Sequence, residues 1–224
     1  MELFFTRLER ETAHERQALT QVPLLQDALH GDITQATYLI YLQEAYHHVK
    51  HTVPLLMACG ARLPSEKEWL REAIAEYIEE ETGHQEWVLN DIGHAGGDKE
   101  AARRSQPGFA TEMMVAYAYD TVMRGNPAAF FGMVYVLEGT SISMATQCAD
   151  AIAAQLNLPK KCFSYLSSHG SLDVKHMAFF EGLMNRITDP ADQDAIIHMA
   201  KRMFVLFAGL FRSIPHEGGL RHAA

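Results

Sequence analysis

Apolar residues recur along nearly the whole chain at intervals of three and four, the spacing of one face of an α-helix. No stretch alternates apolar and polar residues between hairpin turns. A sheet-based fold is therefore excluded, and helix packed on helix remains. Gly and Pro punctuate the pattern. A first segment runs from about Glu2 to His30, interrupted at Pro23 and stopped by Gly31. A second spans about Gln35–Cys59, with Asp32 or Thr34 as N-cap, a kink or local break at Pro54 and Gly60 as its stop. The third opens at Pro64-Ser65-Glu66 and reaches about Ile92, after which Asp98–Gly108 reads as loop. A fourth, Phe109–Arg124, ends at the Gly125-Asn126-Pro127 turn. The fifth, about Ala128–Leu156, is mostly apolar and so central. The sixth starts at Pro159 and reaches about Ile187, with a bend near His169-Gly170-Ser171. A last helix runs from Asp189-Pro190 to Ile214-Pro215. The expectation is one all-α domain over residues 1–224, a compact bundle of about seven helices.

Composition narrows the function classes. The net charge is −9 and no basic cluster breaks the sequence, which argues against nucleic-acid binding. No stretch approaches the roughly 20 apolar residues of a membrane span, and the N-terminus turns charged after five residues, unlike a secretory signal. Cys59, Cys148 and Cys162 are an odd count without C-x-x-C spacing, so neither a disulfide framework nor a structural zinc site is expected. The expected compartment is the cytosol.

Histidines and carboxylates at one-face spacing carry the chemistry. The second helix has Glu44, His47, His48 and His51; its neighbour has Glu81 and His84, an E-x-x-H; the sixth has His169, Asp173 and His176, an H-x3-D-x2-H. Glu138 stands alone in the apolar FFGMVYVLEGTSISMA, where burying a carboxylate requires a cation or a proton. Each has a plainer reading: Glu81 as solvated helix face, Asp173 as an N-cap, His176 as a hydrogen-bonded core residue. His47, His48 and His51 cannot all face inward. Together, however, Glu81, Glu138, His84, His169, Asp173 and His176 give three carboxylates and three imidazoles, with Glu44 as a fourth carboxylate. Two close metal ions need several carboxylates to offset their charge, and helix bundles build such sites from E-x-x-H pairs and single inward Glu residues.

The segments YVLEGTSIS, HGSLDVKH and ETGHQEW resemble the haem-oxygenase-like superfamily, over nearly the whole chain. That group contains haem oxygenases, TenA thiaminases, PqqC and haem-oxygenase-like di-iron oxidases. The di-iron branch is similar in its arrangement of ligands, which falls on Glu44, Glu81, His84, Glu138, His169, Asp173 and His176. The resemblance implies two iron ions, one of them weakly held, and O2-dependent oxidation of a small organic substrate with electrons from an external reductant. It also implies a homodimer. Relatives act on fatty acids, on amino-acid or guanidino groups, or on one of their own tyrosines, which makes Tyr41, Tyr46, Tyr77 and Tyr135 pocket candidates. A haem-binding alternative places the axial ligand at His14, within LERETAHERQAL. A metal-free TenA- or PqqC-like binding protein is a further alternative; the TQCAD setting of Cys148 is unlike a thiaminase nucleophile.

Overall fold

Where each helix starts and stops follows from which residues can satisfy, or break, the terminal backbone groups. The computed structural model describes residues 2–216, with backbone only for residues 169–176. Helices α1 (Phe4–Glu11) and α2 (Ala13–Thr20) meet at buried Thr12, whose hydroxyl donates to the Leu8 carbonyl at 2.7 Å. Pro23 sits at the first position of α3 (Pro23–Leu29), where its missing N–H costs nothing. Thr34 caps α4 (Gln35–Val49), its hydroxyl accepting the Thr37 N–H at 3.1 Å.

The second expected segment breaks locally, just before Pro54. Pro54 lies in the first turn of α5 (Thr52–Arg62), and the chain breaks at Lys50-His51 because Pro54 cannot bond to the carbonyl four residues back. The third divides into α6 (Glu68–Glu81) and α7 (His84–His94) at Thr82-Gly83, with Gly83 at φ +99°. The stretch read as loop contains α8 (Lys99–Arg104), because Asp98 accepts the Glu100 and Ala101 N–H groups at 3.0 Å each. Helix α9 covers Phe109–Arg124, as expected.

The apolar fifth segment is α10 (Phe130–Thr140), a π-helical turn (Ser141–Ala145) and α11 (Thr146–Leu156), continuous in backbone. It has the length and apolarity of a membrane span, yet its residues are mostly buried against other helices, as a core helix should be. After a 3-10 turn at Lys160–Cys162 comes α12 (Ser164–Met184), then α13 (Pro190–Ser213), capped by Asp189. The bend expected near His169-Gly170-Ser171 lies in the stretch outside the described side chains. No strand occurs among the described residues.

The molecule is thus an all-α bundle, with more and shorter helices than the seven expected. Helices α10 and α13 form its spine, packing closest where Gly132 meets the α13 backbone; a Cβ there would sit 2.7 Å from the Ala200 nitrogen. Tyr38, Phe130, Phe131, Phe163 and Phe180 are fully buried around this spine. Burial of a large apolar side chain contributes about 1.5–3 kcal/mol, so these rings supply much of the core's stabilisation.

Candidate metal centre

A cavity of about 140 Å³ lies between α3, α4, α5, α6, α10, α11, α12 and α13. Helical spacing explains its walls. Thr37, Tyr41 and His48 face it from α4, and Leu137, Ser141, Met144, Cys148 and Ile152 face it from the continuous α10–α11 run at intervals of three and four. Most of the lining is apolar, including Leu24, Leu25, Phe207 and Phe211. Among the described residues, the acidic and imidazole groups on the wall are His48 from α4, Glu81 from the end of α6 and Glu138 from α10, and the phenol of Tyr77 lines it as well.

Glu81 and His84 do not share one continuous helix. Gly83, in the left-handed region that favours glycine, turns the chain between them. The pair nevertheless closes on itself: the Glu81 carboxylate accepts from His84 Nδ1 at 2.9 Å, and the His84 ring lies 4.0 Å from that of Trp87. A carboxylate at this distance from an imidazole nitrogen orients the ring. His84 is buried, at 4% exposure. The π-helical turn, which brings Ser141 and Met144 to the wall, begins three residues after Glu138. Both helix irregularities therefore border the polar wall, and π-turns are frequent at functional sites.

Glu44 is elsewhere. Its buried carboxylate accepts the Gly108 N–H at 3.0 and 3.1 Å and the Thr111 hydroxyl, capping the start of α9 from outside that helix. At about 100° per residue, Glu44 stands roughly 60° around α4 from Tyr41, close enough to the wall for spacing alone to include it. The unpaired amides of α9 supplied the competing use. His48 reaches the wall from this helix instead, its ring 5.8 Å from Phe207. Its position four residues after Glu44 was the signal available in sequence.

His47 bonds to Ser105 Oγ at 2.8 Å and to Lys50 Nζ at 3.1 Å; burial and the Lys50 charge hold its pKa down at about 4, so it is neutral at neutral pH. His51 pairs with the Tyr119 hydroxyl at 3.1 Å. Of the tyrosines, Tyr41 and Tyr77 line the cavity. Tyr46 instead packs against His47, and Tyr135 accepts from Arg16 at 3.1 Å and stacks on Phe180. Burial pushes the Tyr41 phenol well above its usual pKa. His14 is exposed on α2 and is not part of the wall. Cys148 does line it, but burial pushes its thiol up to about 11, which keeps it protonated and a poor nucleophile.

His169, Asp173 and His176 lie outside the described side chains. Among the described residues, no three His, Cys, Asp or Glu side chains converge closely enough to hold a metal ion. The donor chemistry is nonetheless suited to iron: carboxylate oxygen from Glu81 and Glu138 and imidazole nitrogen from His48 and His84, in an apolar surround.

A family model described as iron-containing redox enzyme matches residues 39–208. No curated protein matches the chain. Among solved structures, a domain of unknown function with a heme oxygenase-like fold from Shewanella denitrificans superimposes with a TM-score of 0.83 at 26% identity, over 94% of this chain and 91% of that one. A TenA homolog from Pseudomonas syringae gives 0.76 at 10% identity, over 94% and 91%. The heme oxygenase from Leptospira interrogans gives 0.73 at 17%, over 94% and 99%. The last two likenesses are likenesses of fold alone.

Proposed function

The chain belongs to the family of iron-containing redox enzymes, and from that premise we propose that it is a non-haem di-iron oxidase or oxygenase acting on a small organic molecule held in the cavity. The observation that carries this reading is the cavity wall itself, where Glu81, Glu138 and His48 arrive from three helices beside the Glu81–His84 pair. Glu138, Glu81, His84 and His48 would hold iron, with His169, Asp173 and His176 completing the set from α12. Bound iron supplies the one-electron and O2 chemistry that side chains lack.

The rest of the work falls to the chain. In the metal-free protein Glu81 holds the His84 ring in place through the 2.9 Å bond. The two wall carboxylates offset cationic charge in a surround of low dielectric. The apolar helices exclude water from the reacting end. Tyr77 and Tyr41 place phenol groups against a bound molecule, and Tyr41, held protonated by burial, acts as a hydrogen-bond donor rather than a base.

Cavity shape favours an elongated substrate. On α4 the lining runs from Thr37 to His48, about 16 Å of helix at the usual rise. Leu24, Ile33 and Ile152 are among the cavity's apolar lining, and His48, Glu81 and Glu138 are its acidic and imidazole lining among the described residues. A fatty-acid-like or amine-bearing aliphatic molecule, with its polar group at the iron, fits that polarity; oxidation of Tyr41 or Tyr77 is the self-directed version of the same reaction. The reading requires an external electron donor.

Anaerobic addition of Fe(II) followed by O2 tests it. The expected result is about two irons per chain and a transient visible absorption, both lost in Glu138→Ala and His84→Ala. Undiminished iron uptake in those variants would sink the assignment. A Soret band on haem addition that vanishes in His14→Ala would favour the haem alternative instead.

A further inference from the structure

Asp91 is completely buried on α7, and the iron reading above gives it no part. Its Oδ1 accepts the Ser164 N–H at 3.0 Å and the Ser164 hydroxyl at 2.5 Å, and its Oδ2 accepts the Tyr165 N–H at 2.8 Å. The carboxylate thus satisfies the first amides of α12 from a neighbouring helix, where the α12 dipole favours negative charge. Close by, buried Tyr38 donates its hydroxyl to the Cys162 carbonyl at 2.7 Å and stacks on Phe163 at 4.9 Å. The residues leading into α12 are pinned on two sides.

This pin sets a register. His94, one turn beyond Asp91, bonds through Nδ1 to the Lys161 carbonyl at 2.9 Å. Residue 94 therefore lies beside 161, and 91 beside 164 and 165. Numbers fall on α7 as they rise on α12, so the two helices run antiparallel. Seven residues back from Asp91, roughly 10 Å along the axis, is His84. Seven residues on from Ser164, the same distance along α12, is position 171, within the His169–Asp173 stretch of the H-x3-D-x2-H motif.

We propose that Asp91 is a positioning residue for the iron site, fixing the register of α12 against α7 so that the motif on α12 comes level with His84. The proposal rests on the iron reading and adds to it the device that aligns donors from two separate helices. A slip of one residue on α12 would shift its donors by about 1.5 Å and turn them by about 100°, enough to remove them from a shared ion.

The test is anaerobic Fe(II) titration with Mössbauer spectroscopy, applied to the wild type, Asp91→Asn, Ser164→Ala and Asp192→Asn. Asparagine puts an N–H2 group where one carboxylate oxygen had accepted an amide. The expected result for Asp91→Asn is iron affinity weakened ten- to a hundredfold, the range typical of lost ligand-orienting partners, with changed quadrupole splitting of the remaining iron. Asp192 is the control. It is equally a buried carboxylate, bonded to Lys67 Nζ at 2.6 Å and Asn126 Nδ2 at 2.8 Å, and is not part of the cavity wall. Asp192→Asn should lose stability while keeping iron affinity and spectrum. Wild-type iron affinity and spectrum in Asp91→Asn, whatever its melting temperature, would overturn the proposal. Should Asp91→Asn fail to fold, Ser164→Ala decides the matter, because it removes only one of the three hydrogen bonds: severalfold weaker iron binding supports the pin, and unchanged binding refutes it. A wild type that takes up no iron at all overturns the iron reading itself, and the Asp91 role falls with it.

Discussion

Replacing Gly83 with alanine should destabilise the protein through backbone strain alone. Gly83 has φ +99° and ψ −7°, and a Cβ built on it meets no atom within 4 Å. Steric clash with neighbours therefore contributes nothing, and the cost is that of holding an L-residue in a left-handed conformation, about 1–2 kcal/mol. For a chain of this size each kcal/mol lowers the melting temperature by about 2–4 °C, so a loss of roughly 2–8 °C is expected. Asparagine tolerates this region better than alanine, and β-branched residues tolerate it worse. The expected stability order is Gly83, then Asn, Ala and Val, measured by urea denaturation and calorimetry on the metal-free protein. Because the turn delivers Glu81 to His84, the 2.9 Å pair should loosen in the same order, read as weaker iron uptake. An alanine variant as stable as the wild type, or more stable, would show that α6 and α7 can run through as one helix and that the break is not what sets the pair.

Three further outcomes follow from particular contacts. Glu44→Ala should cost about 1–3 kcal/mol, the penalty for leaving buried donors unsatisfied at the start of α9, with iron stoichiometry unchanged; loss of iron would return Glu44 to the ligand set. The His47 pKa of about 4 lies below the ordinary value of 6.5, so the unfolded chain takes up a proton over that range while the folded chain does not. Stability should accordingly fall as pH drops from 6.5 towards 4, by at most about 1.4 kcal/mol per unit from this residue, and urea titrations of His47→Gln should show a shallower fall. Ala28→Phe, filling part of the cavity from its apolar lining, should weaken binding of a hydrophobic fluorescent probe by about tenfold or more, the equivalent of roughly two buried methylenes, while leaving iron uptake intact.

The helical character of the chain and the main segment limits were legible because 3.6-residue periodicity and the Gly and Pro punctuation are local signals. What spacing missed were breaks set by one residue's effect on its neighbours. Pro54 displaced the interruption to Lys50-His51, Gly83 turned a helix that reads as continuous through ETGHQEW, and Asp98 nucleated α8 in apparent loop. The candidate site was legible in type. Glu138 faces the cavity because a carboxylate in an apolar helix has few other places to go, and Glu81, from the acidic run Glu79-Glu80-Glu81, lines it too and bonds to His84. Glu44 was not separable from His48 by angle around α4; only the packing of α9 decides between them. Likewise Asp91 lies in an ordinary helix, and nothing local announces that its partners are more than 70 residues away.

Anomalous diffraction at the iron edge from crystals soaked anaerobically in Fe(II) tests the central claim most directly. The account requires two peaks at the cavity, within coordination distance of Glu81, Glu138 and His84 and of donors from the His169–His176 stretch. Iron bound only on the surface, or peaks whose ligands include neither Glu138 nor His84, would contradict it.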